Sequence, residues 1–240
     1  MIKQKFKGIY TDGRRIYTKN LAPGNNPFDD RLLREKGAEY RQIDPGKSKL
    51  AAALTNGASQ IGVKPGDIVL YLGASHGYTP SFVSDITGDE IDDNEMKSRD
   101  DNRGSRIQGG FVFALDFAPR VVRDLVFVCA KRRNMAPIMA DASQPETYAH
   151  QLLQPDFIYQ DIAQRDQAEI FIRNCSVFLR KGGFAFLAVK SRSIDISRKP
   201  KKIFREVRGK LEGSGVLTVV DYRELDPFQK DHCVFVCKKE

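Results

Sequence analysis

The chain has 240 residues, 41% of them hydrophobic, which is typical of one α/β domain with a small extra module. No run approaches the roughly eighteen apolar residues of a membrane span, and MIKQKFKGIYTDG at the start lacks the apolar centre of a signal peptide, so we expect a cytoplasmic protein. Lys and Arg total 39 against 31 for Asp and Glu, and the net charge of +8 gives a moderate attraction to polyanions such as RNA.

Residues 1–57 predict a small, mainly β module. β-forming residues flank Asp12-Gly13, a two-residue hairpin turn signal, and AEYRQID predicts another short strand. The following KSKLAAALTNG predicts a short helix, with Ser48 as its N-cap and Gly57 as its stop.

Residues 58–240 alternate apolar strands with helical patterns, which predicts a doubly wound α/β domain with helices on both faces of a parallel sheet. Strands are expected near 68–72, 111–115, 136–140, 157–160, 184–189, 216–221 and 233–237. The segment 89–108 is almost wholly polar, and we interpret it as a flexible insertion after the first helix of this domain.

The cysteines show no pattern of a disulfide framework or a metal site. Cys129, Cys175, Cys233 and Cys237 form no CxxC pair, and we interpret them as buried thiols. In HCVFVC, the nearest approach to a metal cluster, the two cysteines share a strand face that His232 does not. No metal site is predicted.

Polar residues follow the successive strands of the predicted sheet. DIVLYLGASHGYTPSFVSD reads as a strand, a glycine turn and a helix, an arrangement that points backbone N–H groups at a ligand. Asp116, Asp141 and Asp161 follow the next three strands, and Lys190 ends the fifth. One such acid is usually a helix cap, but three acids and a lysine in succession indicate a binding crevice at the carboxyl edge of the sheet.

The residue types in this crevice favour a nucleoside. Asp116 is placed to accept hydrogen bonds from a ribose, and Asp141 could reach the edge of an adenine. GASHG has two glycines and lacks the spacing of GxGxxG. A dehydrogenase is therefore disfavoured, and a nucleoside cofactor without phosphate is favoured.

Eight motifs together resemble the fibrillarin family, the S-adenosylmethionine-dependent RNA 2′-O-methyltransferases of box C/D ribonucleoproteins. Six of them fall in the predicted α/β domain: YLGASHGYTPSFVSDITG, FALDFAPRVVRDLV, PIMADASQPETY, FIYQDIAQRDQAEIF, GGFAFLAVKSRSID and KDHCVFV. YTKNLAPG and EYRQIDPGKSKLAAAL resemble the family's small N-terminal module. The resemblance covers essentially the whole chain and implies a Rossmann-like methyltransferase sheet with an antiparallel last strand.

The resemblance also implies the cofactor, S-adenosyl-L-methionine, and two sets of site residues. The implied cofactor-binding residues are Gly73, Ala74, Gly77, Tyr78, Thr79, Asp116, Phe117, Asp141, Ala142, Asp161 and Gln164. The implied catalytic residues are Lys49, Asp161, Lys190 and His232.

The sequence departs from the family pattern at several of these positions. Asp116 stands where the family usually has Glu, Ser75-His76 where it has Ala-Ser, and Tyr78 where Thr is common. The Gly/Arg-rich extension of eukaryotic members is not in the sequence, so we expect an archaeal-type protein.

Methyl transfer to a ribose 2′-hydroxyl is an in-line displacement, which needs aligned reactants and removal of one proton. Lys190 is a candidate base, although the free pKa of lysine, about 10.4, is too high for that role at neutral pH. A nearby sulfonium, Lys49 and desolvation would lower this pKa, and Asp161 would raise it. In the alternative role, Lys190 stays charged and orients the developing oxyanion. The sequence leaves both open.

The three histidines are expected to differ in role. His232 begins the last strand, and an antiparallel strand would bring it to the crevice. His76 and His150 are expected to be structural, although His76 lies in the cofactor turn.

No RNA-recognition module is recognisable, and a net charge of +8 gives no means of reading a base sequence. The resemblance implies a guide RNA that pairs with target rRNA or tRNA, together with a scaffold protein and, indirectly, a kink-turn-binding protein. The alternatives are a stand-alone methyltransferase for another substrate and a non-catalytic subunit of an RNA particle. The polar residues at all the strand ends disfavour the non-catalytic alternative.

Overall fold

The computed structural model describes residues 1–89 and 109–240, so the predicted insertion lies outside the described residues except for Asp89. The N-terminal part forms a five-stranded antiparallel sheet in the order β1-β2-β3-β5-β4. Its strands are β1 (Lys3–Phe6), β2 (Ile9–Thr11), β3 (Ile16–Lys19), β4 (Leu32–Glu35) and β5 (Ala38–Ile43).

The predicted hairpin turn joins β2 and β3. Gly13 has φ +95°, a left-handed conformation that favours glycine. The Asp12 carboxylate accepts hydrogen bonds from the backbone N–H groups of Arg14 and Arg15, both at 2.8 Å. The hairpin is confirmed, but its connection has four residues, 12–15, instead of the predicted two, since Thr11 is the last residue of β2 and pairs with Ile16. The Asp12 side chain closes this longer turn.

Helix α1 (Lys49–Thr55) follows the small sheet and is short because its cap and its stop are close together. Ser48 Oγ accepts a hydrogen bond from Ala51 N at 3.4 Å, which confirms its N-cap role. Gly57, with φ +81°, turns the chain away after the helix. The predicted cap and stop therefore place Lys49 at the first position of α1.

The second sheet has seven strands in the order β11-β12-β10-β9-β6-β7-β8. They are β6 (Ile68–Leu72), β7 (Phe111–Asp116), β8 (Met135–Met139), β9 (Phe157–Gln160), β10 (Phe184–Lys190), β11 (Leu217–Glu224) and β12 (His232–Lys239). Strands β8, β7, β6, β9 and β10 are parallel, and β12 is antiparallel to both β10 and β11. The predicted doubly wound sheet with an antiparallel last strand is confirmed.

Five of the seven strands have boundaries that differ from the prediction. β7 and β10 each end one residue later, at Asp116 and Lys190, and β12 is His232–Lys239 instead of 233–237. β8 begins and ends one residue before the predicted 136–140. β11 ends at Glu224 instead of residue 221, because its ladder with β12 continues to the pair Glu224 and Cys233. Backbone pairing therefore extends this strand into the polar DYRE, beyond its apolar run.

Helices cover both faces of the seven-stranded sheet. They are α2 (Tyr78–Thr87), α3 (Pro119–Cys129), α4 (Gln167–Phe178), α5 (Ser191–Ile194) and α6 (Pro200–Glu212). Val69 and Tyr71 of β6 face a core shared with α1, α2 and α3, whereas its Ile68, Leu70 and Leu72 face a core shared with α4 and α6. The fully apolar strand IVLYL is explained by this burial on both faces.

A buried charge network, formed by Arg41, Asp85, Asp30 and Arg132, joins the small sheet to the larger one. Arg41 of β5 contacts Asp85 of α2 at 3.0 Å and Asp30 at 2.8 Å. Arg132, after α3, contacts the other oxygen of Asp85 at 2.6 Å. All four side chains are almost fully buried, so the network fixes how the two sheets pack.

The four cysteines are buried, and burial raises the pKa of both Cys129 and Cys237 to about 12. Across residues 1–89 and 109–240, no three His, Cys, Asp or Glu side chains are grouped so that they could hold a metal ion. None of the helices in the same ranges is long and apolar enough to span a membrane.

Candidate active site

The turn after β6 is built on glycine and on an unusual serine conformation. Gly73 has φ +83°, and a Cβ there would collide with the carbonyl oxygen of Asp161. Ser75 has φ +49°, rare for a residue with a side chain, and its N–H donates to Asp116 Oδ2 at 2.9 Å. This close approach brings the ends of β6, β7 and β9 together at one point.

A cavity of about 270 Å³ opens at this carboxyl edge of the sheet. Seven of the eleven predicted cofactor-binding residues line it: Gly73, Asp116, Phe117, Asp141, Ala142, Asp161 and Gln164. Ser75, Leu115, Ala140, Ile162 and Ala163 complete the lining. These five adjoin predicted residues along the chain, which is the signal that could have identified them.

Ala74, Gly77, Tyr78 and Thr79 do not line the cavity. Ala74 is buried, and a Cβ at Gly77 would contact Leu125 of α3. Thr79 Oγ1 donates to Ser48 Oγ at 3.3 Å, which ties the start of α2 to the start of α1. Ala74, Gly77 and Thr79 pack on the side of the turn that faces away from the cavity. Their contact with a cofactor stays a prediction.

The Tyr78 side chain packs toward the small sheet. Its ring lies 5.3 Å from that of Phe28 and 5.2 Å from that of Phe82, and its hydroxyl accepts a hydrogen bond from Asp44 N at 3.1 Å. Burial raises the pKa of Tyr78 to about 12. The structure gives this side chain a packing role, and its contact with a cofactor also stays a prediction.

Backbone groups hold two of the three carboxylates of the cavity, Asp116 and Asp141, in place. Asp116 also accepts a hydrogen bond from Ala118 N at 3.1 Å, and Asp141 accepts one from Ser143 N at 2.8 Å. A carboxylate has about four acceptor positions, so each side chain can accept further hydrogen bonds. Beside them the Phe117 ring is 67% exposed, an unusual position for a large apolar group. The cavity therefore offers acceptors for hydroxyl and amino groups and an aromatic face.

The four predicted catalytic residues meet at the same edge. Lys49 Nζ lies 2.7 Å from Asp161 Oδ2, and Lys190 is directly opposite His232 in the ladder of β10 and β12. Burial lowers the pKa of His232 and the charges of Lys49 and Lys190 add to this, whereas Asp161 and the Lys230 carbonyl oppose it. The charges of Lys49, Asp161 and Lys190 affect the pKa of His232 because their side chains lie close to its ring.

The tautomer of His232 follows from its neighbour. Its Nδ1 lies 2.7 Å from the Lys230 carbonyl oxygen, which can only accept a hydrogen bond. Nδ1 therefore carries the proton of the neutral ring, and Nε2 carries the lone pair.

The sequence model of the family described as Fibrillarin matches residues 1–92 and 105–240. The chain belongs to the fibrillarin family. The unmatched residues 93–104 lie inside the segment predicted as an insertion.

Fibrillarin relatives match the chain over its full length. It is 43% identical over 242 residues to the fibrillarin-like rRNA/tRNA 2′-O-methyltransferase of Pyrococcus horikoshii, covering 99% of this chain and 97% of the relative. A structure of Aeropyrum pernix fibrillarin in complex with natively bound S-adenosyl-L-methionine aligns with a TM-score of 0.81 at 39% identity, covering 99% and 97% of the two chains. A fibrillarin/Nop5p complex aligns with a TM-score of 0.80 at 28% identity, covering 99% and 100%.

Two glutamines that the fibrillarin motifs do not single out connect the cavity to Lys190. Gln167 donates through Nε2 to the Gln164 carbonyl at 2.8 Å, and its Oε1 accepts from Lys190 N at 3.4 Å. Gln160 Nε2 donates in turn to the Gln167 carbonyl at 2.6 Å. Both side chains are fully buried. The feature of the sequence that could have revealed them is an amide side chain at a position where the strand or helix pattern predicts an apolar residue.

Proposed function

We propose that the protein transfers a methyl group from S-adenosyl-L-methionine to a ribose 2′-hydroxyl of rRNA or tRNA, as the catalytic subunit of a guide-RNA-directed box C/D ribonucleoprotein. One observation carries the proposal: a nucleoside-type cavity and the Lys49, Asp161, Lys190 and His232 group share one edge of a methyltransferase sheet. The names of the full-length relatives agree with this activity.

The residues that line the cavity fit S-adenosyl-L-methionine. Asp116 would accept the ribose hydroxyls, Asp141 the adenine amino group, and the exposed Phe117 ring would cover the base. Two carboxylates repel a phosphate but attract a cation, which suits a nucleoside with a sulfonium and no phosphate. When bound, this cofactor supplies an activated methyl group.

The two lysines have different surroundings and therefore different proposed roles. The Lys49 charge is neutralised by Asp161, so the pair orients the site. The exposed Lys190 has no acidic group within 4.0 Å among the described residues. With His232 neutral, the four groups carry a net charge of +1. We assign to Lys190 the stabilisation of negative charge that develops on the 2′-oxygen.

His232 is the proposed acceptor of the hydroxyl proton. Its imidazole is held in the neutral form, and Nδ1–H is engaged by Lys230, which leaves the lone pair on Nε2. The O–CH₃ bond forms as the S–CH₃ bond breaks, the bonding electrons go to sulfur, and the hydroxyl proton goes to Nε2. A neutral thioether and a methylated ribose result.

Partners complete the proposal. The fibrillarin/Nop5p complex supports a scaffold protein as a partner of this chain. The guide RNA that selects the nucleotide and an indirectly bound kink-turn-binding protein belong to the same proposal, as does a cytoplasmic location in an archaeal-type cell.

The test is methyl transfer from labelled S-adenosyl-L-methionine to a target RNA, with the guide RNA, the scaffold protein and the kink-turn-binding protein present. We expect labelling of one nucleotide, which moves along the target when the guide sequence is shifted. Labelling that does not follow the guide would contradict the proposal.

A further inference from the structure

The residues directly after Lys190 carry most of the excess charge of the molecule. Residues 191–205, SRSIDISRKPKKIFR, contain six basic residues and one acidic residue, a surplus of five out of the net +8 of the chain. They form α5, a loop and the first turns of α6, and we call them the basic segment.

The basic segment lies at the edge of the sheet that carries the candidate active site. It starts where β10 ends, and Arg192 Nε contacts Asp231, the residue before His232, at 2.9 Å. Ser197 hydrogen bonds lower the pKa of Asp195, and the charges of Arg198 and Arg165 add to this effect. Because Arg165 follows Gln164 of the cavity, the cations extend from the cavity to α6.

Several cations of the segment make no close ion pair, although, beside the hydrogen bond from Arg198, the charge of Lys202 helps to lower the pKa of Glu206. Lys199, Lys202 and Arg205 are exposed, and none has an ion pair within 4.0 Å in the part of the chain that the structure describes. By contrast, Arg198 pairs with Glu206, and Lys201 lies 4.0 Å from Glu224. Lys199 and Lys202 are therefore available to an external anion.

The helix itself does not explain these charges. Lys199 is the N-cap residue of α6 and its side chain makes no capping hydrogen bond, and the first turn contains Lys201 and Lys202 but no acid. Cations at a helix N-terminus oppose the helix dipole, and cap positions favour Ser, Thr, Asp or Asn. The arrangement costs stability, so a role outside folding accounts for it better.

We propose that the basic segment holds the RNA duplex by its phosphates, with Lys199 and Lys202 as the principal contacts. The inference rests on the proposed function, because the duplex of guide and target must lie beside Lys190 while one ribose reacts. Ile196, 75% exposed among the cations, suits the sugar surface of a shallow RNA minor groove. Phosphate contacts orient an RNA duplex of any base sequence equally well. This suits an enzyme whose target nucleotide is selected by a guide RNA.

The test measures binding of a short fluorescent RNA duplex by the full chain, as a function of salt. K199Q/K202Q should weaken binding about tenfold at ~0.1 M salt and reduce the slope of log Kd against log salt by roughly two. K181Q/K238Q, which removes two exposed cations at the opposite edge of the sheet, is the matched control and should bind as the wild type does. Calorimetry should show unchanged cofactor affinity in both variants.

The inference is overturned if K199Q/K202Q binds the duplex with wild-type affinity and slope, or if the control loses as much. It is also overturned if K199Q/K202Q keeps duplex affinity but no longer assembles with the scaffold protein, since the surface then belongs to that protein. The proposed function fails separately, when the wild-type particle transfers no methyl group.

Discussion

Asp116 is held at the cavity by two backbone N–H groups, and its remaining acceptor positions are the proposed contact for the cofactor ribose. We expect Asp116→Ala to weaken binding of S-adenosyl-L-methionine by about 1.5–3 kcal/mol, the usual contribution of hydrogen bonds to a charged group. Calorimetry measures the affinity, and circular dichroism checks that the fold persists. Asp116→Glu, with the residue usual in the family, is the control and should bind well. Unchanged affinity in the alanine variant would remove Asp116 from the site.

Lys190 is proposed to act on the acceptor hydroxyl, not on the cofactor. Lys190→Ala should therefore abolish turnover in the reconstituted particle and leave cofactor affinity nearly unchanged. Lys190→Arg keeps the charge and should keep part of the activity, because an electrostatic role needs only a cation, whereas arginine cannot serve as a base. Near-normal turnover in the alanine variant would refute the assignment.

His232 gives the reaction a pH dependence with a definite sign. Its folded-state pKa is lowered from 6.5, so kcat should rise through a pKa below 6.5 and reach a plateau near neutrality. A profile that still climbs well above neutrality would instead identify Lys190 as the base.

The same histidine links pH to stability. The unfolded chain binds the proton at higher pH than the folded chain does, so the free energy of unfolding should fall as pH decreases through 6.5. Urea unfolding at several pH values measures this, with His232→Gln as the comparison. The variant should lose less stability on acidification than the wild type.

The position of Lys49 depends on how helix α1 packs against its neighbouring secondary-structure elements. Ser48 caps α1 and contacts Thr79 of α2, and the Arg41–Asp85 network fixes the small sheet against α2. A change in this packing would therefore move Lys49 relative to Asp161. The small sheet thus helps to position Lys49 in the proposed active site.

Among the residues of the buried charge network, Asp85 is the one whose removal should destabilise the protein most. Asp85→Ala leaves Arg41 and Arg132 buried without their shared carboxylate, and we expect a loss of about 3–5 kcal/mol in the free energy of unfolding. Urea denaturation measures the loss. Arg208→Ala, which breaks the exposed pair with Glu212, is the control and should change stability by less than about 1 kcal/mol. A small effect at Asp85 would show that the network contributes little.

Local patterns in the sequence predict most elements and the edge where the site lies. Asp116, Asp141 and Asp161 each follow an apolar run, so parallel pairing alone brings them together. The lengthened β11 was not predicted, because its last residues are held by pairing with β12 and not by an apolar pattern. Gln167 and the partners of Asp85 also escaped prediction, since their contacts join distant parts of the chain that local periodicity does not relate.

For the whole molecule, the proposed function assigns the chemistry to this chain and the choice of target nucleotide to its partners. The described surface has cations for phosphates, and no module that reads bases is recognisable in the sequence. We expect the isolated chain to bind S-adenosyl-L-methionine yet methylate target RNA negligibly, and to gain site-specific activity when guide RNA and both partner proteins are added. Labelled-methyl incorporation with and without these components measures the difference. Efficient site-specific methylation by the chain alone would point to a stand-alone enzyme.

In the proposed reaction, the methyl group goes to one ribose 2′-oxygen that the guide RNA selects. The most direct measurement compares two target RNAs in the reconstituted particle, identical except that one carries a 2′-deoxyribose at the paired target nucleotide. We expect one labelled 2′-O-methyl nucleotide in the first RNA and no incorporation in the second, with cofactor binding equal in both. Equal labelling of the two RNAs, or a methyl group mapped to a base, would contradict it.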